Sequence, residues 1–303
     1  PKAEELITVK MRAMAVFLGT NLKIAPNLES GKVSQTFSFE YICKYLFHYM
    51  SGENSNTALP IVSKKAQNLI GSEIIKIAGE IRDKIKQGEK IDNLTIGDFD
   101  PLIFPIPLAL KDEIIKAYQN GETNYPEANG VHDLRKAISG YLKTFGGLEY
   151  PAENILVSGG ARPLIYATFQ TLVDPGDTVI FPVPSWNNNH YSYLSHAKVI
   201  ALETKFENNF MPTASEIAPH IKDVTLLAIC SPLNPTGTLF TKKDLREICK
   251  LILAENARRP KDQKPLYLMY DQIYWALTFD NETHYDPVTL YPCLLYTSPS
   301  PRD

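Results

Sequence analysis

The stretch Leu226-Leu-Ala-Ile-Cys230-Ser-Pro-Leu-Asn234-Pro-Thr-Gly237 decides the fold. Five apolar residues make a short buried strand, and the Pro, Asn and Gly beyond them make a turn. Leu266–Tyr270 repeats the pattern and ends on Asp271-Gln-Ile-Tyr274. Polar groups just past the carboxyl ends of strands are where open α/β sheets hold ligands. An amide at Asn234, a carboxylate at Asp271 and a phenol at Tyr274 suit a flat heteroaromatic cofactor with a ring nitrogen and a ring hydroxyl.

Working outward, the chain alternates between the two periods. Strands are expected at Ile155–Ser158, Thr178–Phe181, Lys198–Leu202, Leu226–Cys230 and Leu266–Tyr270. Helices are expected at 72–86, where isoleucines 74, 77, 81 and 85 repeat at helical spacing behind a Ser72 cap, and at Leu108–Asn120, Gly130–Phe145, Pro163–Val173 and Lys242–Glu255. Strands alternating with helices imply right-handed crossovers. The fold class is therefore α/β, three layers (αβα) around a mostly parallel sheet. The charged run Arg258–Lys264 reads as a solvated surface loop.

Two more turns carry chemistry. Ser158-Gly-Gly-Ala-Arg162-Pro joins a strand to a helix, where small residues and the first free N–H groups accept an anion closely. Pro182-Val-Pro-Ser-Trp186 follows the next strand, and an indole there can lie on a ring. Alone, the first is an ordinary tight turn and the second a core tryptophan; together with 234, 271 and 274 they form an ordered set. For the amide, carboxylate and phenol at 234, 271 and 274, pyridoxal 5′-phosphate is the candidate.

From about Pro60 to Pro292 the chain resembles the fold-type I pyridoxal-phosphate enzymes, specifically the class I/II aminotransferases related to aspartate aminotransferase. The resemblance implies that Gly160, Ala161 and Arg162 hold the phosphate, that Trp186 stacks on the ring, and that Asn234 and Tyr274 bind the ring oxygen. It makes Asp271 the partner of the ring nitrogen, keeping it protonated so that the ring can take up electrons; the plainer reading of Asp271 is a helix cap. Gly97 resembles the family's glycine beside the substrate carboxylate, although Asp98-Phe99 stand where Pro is usual. Asn124-Tyr125-Pro126, with Gly130 and Leu134-Arg135-Lys136-Ala137-Ile138, resembles the segment whose tyrosine reaches the phosphate of a neighbouring subunit. A packed aromatic at a turn is the alternative for Tyr125. Family members often have cis bonds before the prolines matching Pro184 and Pro235, and the Asn234–Pro235 bond is expected cis.

The implied activity is transfer of an amino group between an L-amino acid and a 2-oxo acid by a homodimer with shared active sites. The family's catalytic lysine follows the Asp271 position by some thirty residues or more, yet the last lysine here is Lys264, so this chain by itself is expected to be inactive. A β-eliminating lyase or cyclising synthase on the same scaffold would use the same residues, and a non-catalytic pyridoxal-phosphate-binding module would keep the pocket alone. No Gly-x-Gly-x-x-Gly follows a strand, which disfavours nicotinamide binding.

Composition narrows the classes further. A net charge of −3 over 303 residues leaves no basic footprint for nucleic acid. No apolar run is long enough to span a bilayer, and four unpaired-looking cysteines and six scattered histidines suggest neither disulfides nor a metal centre. A cytoplasmic setting fits. Residues 1–49 are an unassigned extension that Met50 could replace as a start. Residues 50–98 are the expected arm and part of an incomplete small domain, and 99–292 an incomplete cofactor domain. Residues 293–303 look non-native, resembling translated adapter sequence.

Overall fold

The protein's structure is a computed structural model that describes residues 62–295 apart from 72, 96 and 98. The expected Ser72 cap, the extension 1–49, Asp98 and the tail from residue 296 lie outside the described residues. Four strands, β1 (Thr178–Val183), β2 (Lys198–Glu203), β3 (Val224–Cys230) and β4 (Tyr267–Asp271), form one sheet in the order β2-β1-β3-β4. All three pairings are parallel. The expected α/β architecture is therefore present.

Alternating side chains divide the core between the two faces of the sheet. Ile180, Leu227 and Ile229 point to one face, against Leu245, Ile248 and Ile252 of a helix at Lys242–Arg258. Val179, Phe181, Leu226 and Ala228 point to the other, against Phe169 of a helix at Ala161–Leu172 and Tyr191 of a helix at Asn188–Leu194. Such strands, covered on both faces, read as unbroken apolar runs. Each fully buried Leu or Ile contributes roughly 2 kcal/mol by leaving water. With Glu73–Lys86, Leu108–Gln119 and His132–Tyr141, these helices become α1 (73–86), α2 (108–119), α3 (132–141), α4 (161–172), α5 (188–194) and α6 (242–258).

Three segments depart from the expected reading. Ile155–Ser158 is extended but joins no ladder; its backbone bond runs from the Val157 N–H to the Asn129 carbonyl at 3.0 Å. Four apolar residues specify an extended backbone, whereas pairing also needs a neighbour. The expected helix Gly130–Phe145 is shorter: α3 gives way to a π turn at Leu142–Gly146, closed by Gly147 at φ 65°. The charged run 258–264 is not simply a solvated loop. Arg258 ends α6, and the Arg259 side chain is only 4 % exposed, paired at 2.9 Å with an equally buried Glu255. Its other donors reach the carbonyls of Ile221, Val224 and Lys264, so it stitches α6 to the start of β3.

Candidate cofactor site

The register of β3 and β4 sets Cys230 beside Asp271, so both strands end at one level. The Ser231 N–H then donates to the Asp271 carbonyl at 3.0 Å, and the buried Ser231 hydroxyl accepts from the Phe240 N–H at 3.3 Å. Beyond it the turn closes on itself, with N–H groups of Leu233 and Gly237 donating to the carbonyls of Thr238 and Leu233. That closure presents Asn234, half-buried, at the sheet edge. The bonds Val183–Pro184, Ser231–Pro232 and Asn234–Pro235 are all cis; the second of these was not anticipated.

Asp271 has one oxygen accepting the Ile273 N–H at 3.1 Å, the short local bond of an Asx turn. Burial pushes its carboxyl above the ordinary carboxylate value, and the Ile273 bond only partly opposes that. A cation or N–H beside the second oxygen would relieve this cost. A protonated ring nitrogen has that character.

At the head of α4, Gly160 takes φ 113°, a conformation side chains rarely adopt, and a Cβ built on Gly159 or Gly160 meets nothing within 4 Å. The turn therefore faces open space. The Gly160 N–H donates to the Ser158 carbonyl at 2.7 Å, so Gly160 shapes the turn, and the free helix-start donors are those of Ala161 and Arg162. The Arg162 guanidinium lies 5.5 Å from the centre of the Trp186 ring, a cation–π distance. The turn at 160–162 and the indole thus meet.

Tyr191 was not anticipated. It packs on Phe169 of α4 with ring centres 5.6 Å apart, and burial raises its phenol's pKa, while the Arg162 charge lowers it and the Asp271 charge raises it. Helical spacing from Asn188 would have turned Tyr191 inward, but a seven-residue helix gives a weak periodic signal. Gly97 lies beside the Tyr274 hydroxyl, which a Cβ there would approach to 3.5 Å. Tyr125 is 99 % exposed. Among the described residues, no cluster of His, Cys, Asp and Glu could hold a metal, and no helix is long and apolar enough to cross a membrane.

A parallel sheet whose carboxyl edge carries Trp186 and a half-buried Asp271, with the glycine turn at 159–162 beside the indole, defines an α/β protein with a candidate site at that edge. The family of class I and II aminotransferases matches residues 89–294, and the chain belongs to it. The chain is 29 % identical over 231 residues to an aspartate aminotransferase of Bacillus sp. (strain YM-2), covering 74 % of this chain and 55 % of that one. It is equally similar, at 29 % over 225 residues, to a bifunctional aspartate aminotransferase and glutamate/aspartate-prephenate aminotransferase of Petunia hybrida, covering 74 % and 45 %. The aspartate aminotransferase of Thermus thermophilus with maleate superposes with a TM-score of 0.68 at 26 % identity, covering 77 % of this chain and 58 % of that one. The chain spans about half the length of the curated relatives it matches.

Proposed function

We propose that this chain binds pyridoxal 5′-phosphate, and that the whole protein transfers an amino group between an L-amino acid and a 2-oxo acid. The meeting of the turn at 160–162 with Trp186, on the sheet edge that also carries Asp271, is the observation that supports this best. The residues fit the cofactor: open space over two glycines for a phosphate, an aromatic face, and a half-buried acid with an oxygen to offer. When bound, the cofactor supplies an electron sink for the pair released as the substrate Cα loses its proton.

The side chains divide that work. The N–H groups of Ala161 and Arg162 bind the phosphate at the positive end of α4. Trp186 covers one ring face and excludes water from it. Asp271 accepts the ring N–H and holds that proton in place, while Asn234 and the Tyr274 hydroxyl donate to the ring oxygen. Gly97, beside Tyr274, leaves room for a substrate carboxylate. Tyr125 reaches the phosphate of a second copy, so the active form is a homodimer. The names of the relatives place aspartate first among donors to try. A lyase or synthase would share these residues, and family membership with the relatives' names favours transamination.

Pyridoxal phosphate added to the purified chain should bind saturably. The whole protein should convert aspartate only when a 2-oxo acid acceptor is present. Pyruvate and ammonia formed without an acceptor would make it a lyase, and failure of the chain to bind the cofactor would refute the reading.

A further inference from the structure

We infer that Arg135 is a positioning residue that registers the Tyr125 loop on the strand-like segment leading into the phosphate turn, a role resting on the cofactor reading above. The residue belongs to α3 and is buried, only 5 % exposed, yet it sits in no catalytic cluster. Its donors diverge to three partners. Nε donates to the Gly130 carbonyl at 3.0 Å, one terminal nitrogen to the Ala152 carbonyl at 3.0 Å, and the other to the Glu127 carboxylate. Two of these lie in the 125–130 loop, and the third lies just before Ile155.

The surroundings continue the same seam. The Asn129 carbonyl accepts the Val157 N–H, and Gly130, at φ 100°, lets the loop close against Val157, where a Cβ would come within 2.7 Å of the valine Cβ. Because Ile155–Ser158 joins no ladder, these bonds, not a sheet neighbour, fix its position. Two residues beyond Ser158 the chain reaches Gly160. The ligand parts of the loop and of the turn, Tyr125 and Ala161, lie 36 residues apart in sequence, and one guanidinium sets them relative to each other. A lysine could satisfy only one of the three partners well, since its charge is a single point without the planar fork.

Phosphate anchoring gives the test a readout that a merely structural arginine would not move. Pyridoxal phosphate and pyridoxal, which lacks the phosphate, are titrated against the wild-type chain, Arg135→Met and Arg135→Lys. Arg135→Met should weaken pyridoxal phosphate roughly tenfold, as expected for misplacing about one hydrogen bond's worth of anchoring. Pyridoxal affinity should stay unchanged, and Arg135→Lys should fall between. Equal losses for both compounds, or no loss, would overturn the inference. If the wild type does not distinguish the two compounds, the phosphate reading itself fails. Amide hydrogen exchange then decides Arg135 separately: Arg135→Met, or Arg135→Lys should the first not fold, must speed exchange at Val157 relative to β3, and unchanged exchange would refute the positioning role.

Discussion

At position 271 a carboxylate is held where burial works against its charge, and among the described residues one local N–H offsets it in part. Its folded pKa is raised, so the apoprotein is favoured by low pH and loses that stability as pH rises from the unfolded value towards the folded one. Asp271→Asn removes the charge. The apoprotein's thermal midpoint at neutral pH should therefore rise, while affinity for pyridoxal phosphate should drop by about 2 kcal/mol, the loss of one charged hydrogen bond. Calorimetry with and without cofactor checks both signs, and a fall in the apoprotein midpoint would contradict the account. Trp186→Phe keeps an aromatic face but less of it, and should weaken the cofactor by about 1 kcal/mol. The sequence made these residues legible because each stands directly after an apolar strand. Tyr191 and Arg135 were missed or left without a role because their importance lies in what they touch from the middle of helices.

Among the elements, α6 is tied to the sheet by the Glu255–Arg259 pair, with the Glu255 side chain 5 % exposed. Burial opposes the Glu255 charge, but hydrogen bonds from Arg258 and Arg259 outweigh it and hold the carboxyl below its ordinary 4.5. Because the folded pKa is lowered, this contribution is present above about pH 4.5 and is lost as the pH falls through the folded value. Arg259→Met leaves a buried carboxylate without one of its partners and should destabilise by about 3 kcal/mol in urea unfolding. A change under 1 kcal/mol would instead mean that water reaches Glu255 freely. The four paired strands and the helices α1, α2, α4 and α6 were readable from apolar period, α3 only as part of a longer helix, and α5 not at all. The fifth expected strand, Ile155–Ser158, was not, since ladder pairing depends on a partner far away in sequence. The burial of Arg259 was hidden for the same reason: a charged run looks alike in a loop or in a clamp.

For the whole molecule, the apolar side chains Leu102, Phe104, Leu108 and Tyr118 are all exposed, Leu102 by 91 %. So much exposed apolar surface between 102 and 118, next to Tyr125, suits an interface with a second copy. Sedimentation should report a dimer, and Leu102→Asp with Phe104→Asp should yield a monomer with weaker cofactor binding, because Tyr125 then has no partner site to serve. A wild-type monomer would contradict this. The central claim is that the turn at 160–162, the indole at 186 and the acid at 271 enclose one phosphorylated ring. The chain has two tryptophans, and Trp275→Phe leaves Trp186 as the sole reporter. In that background, pyridoxal phosphate should quench the remaining fluorescence saturably, with much weaker binding once Asp271→Asn is added. Fluorescence that stays constant across the titration, or binding indifferent to the Asp271 change, would contradict it.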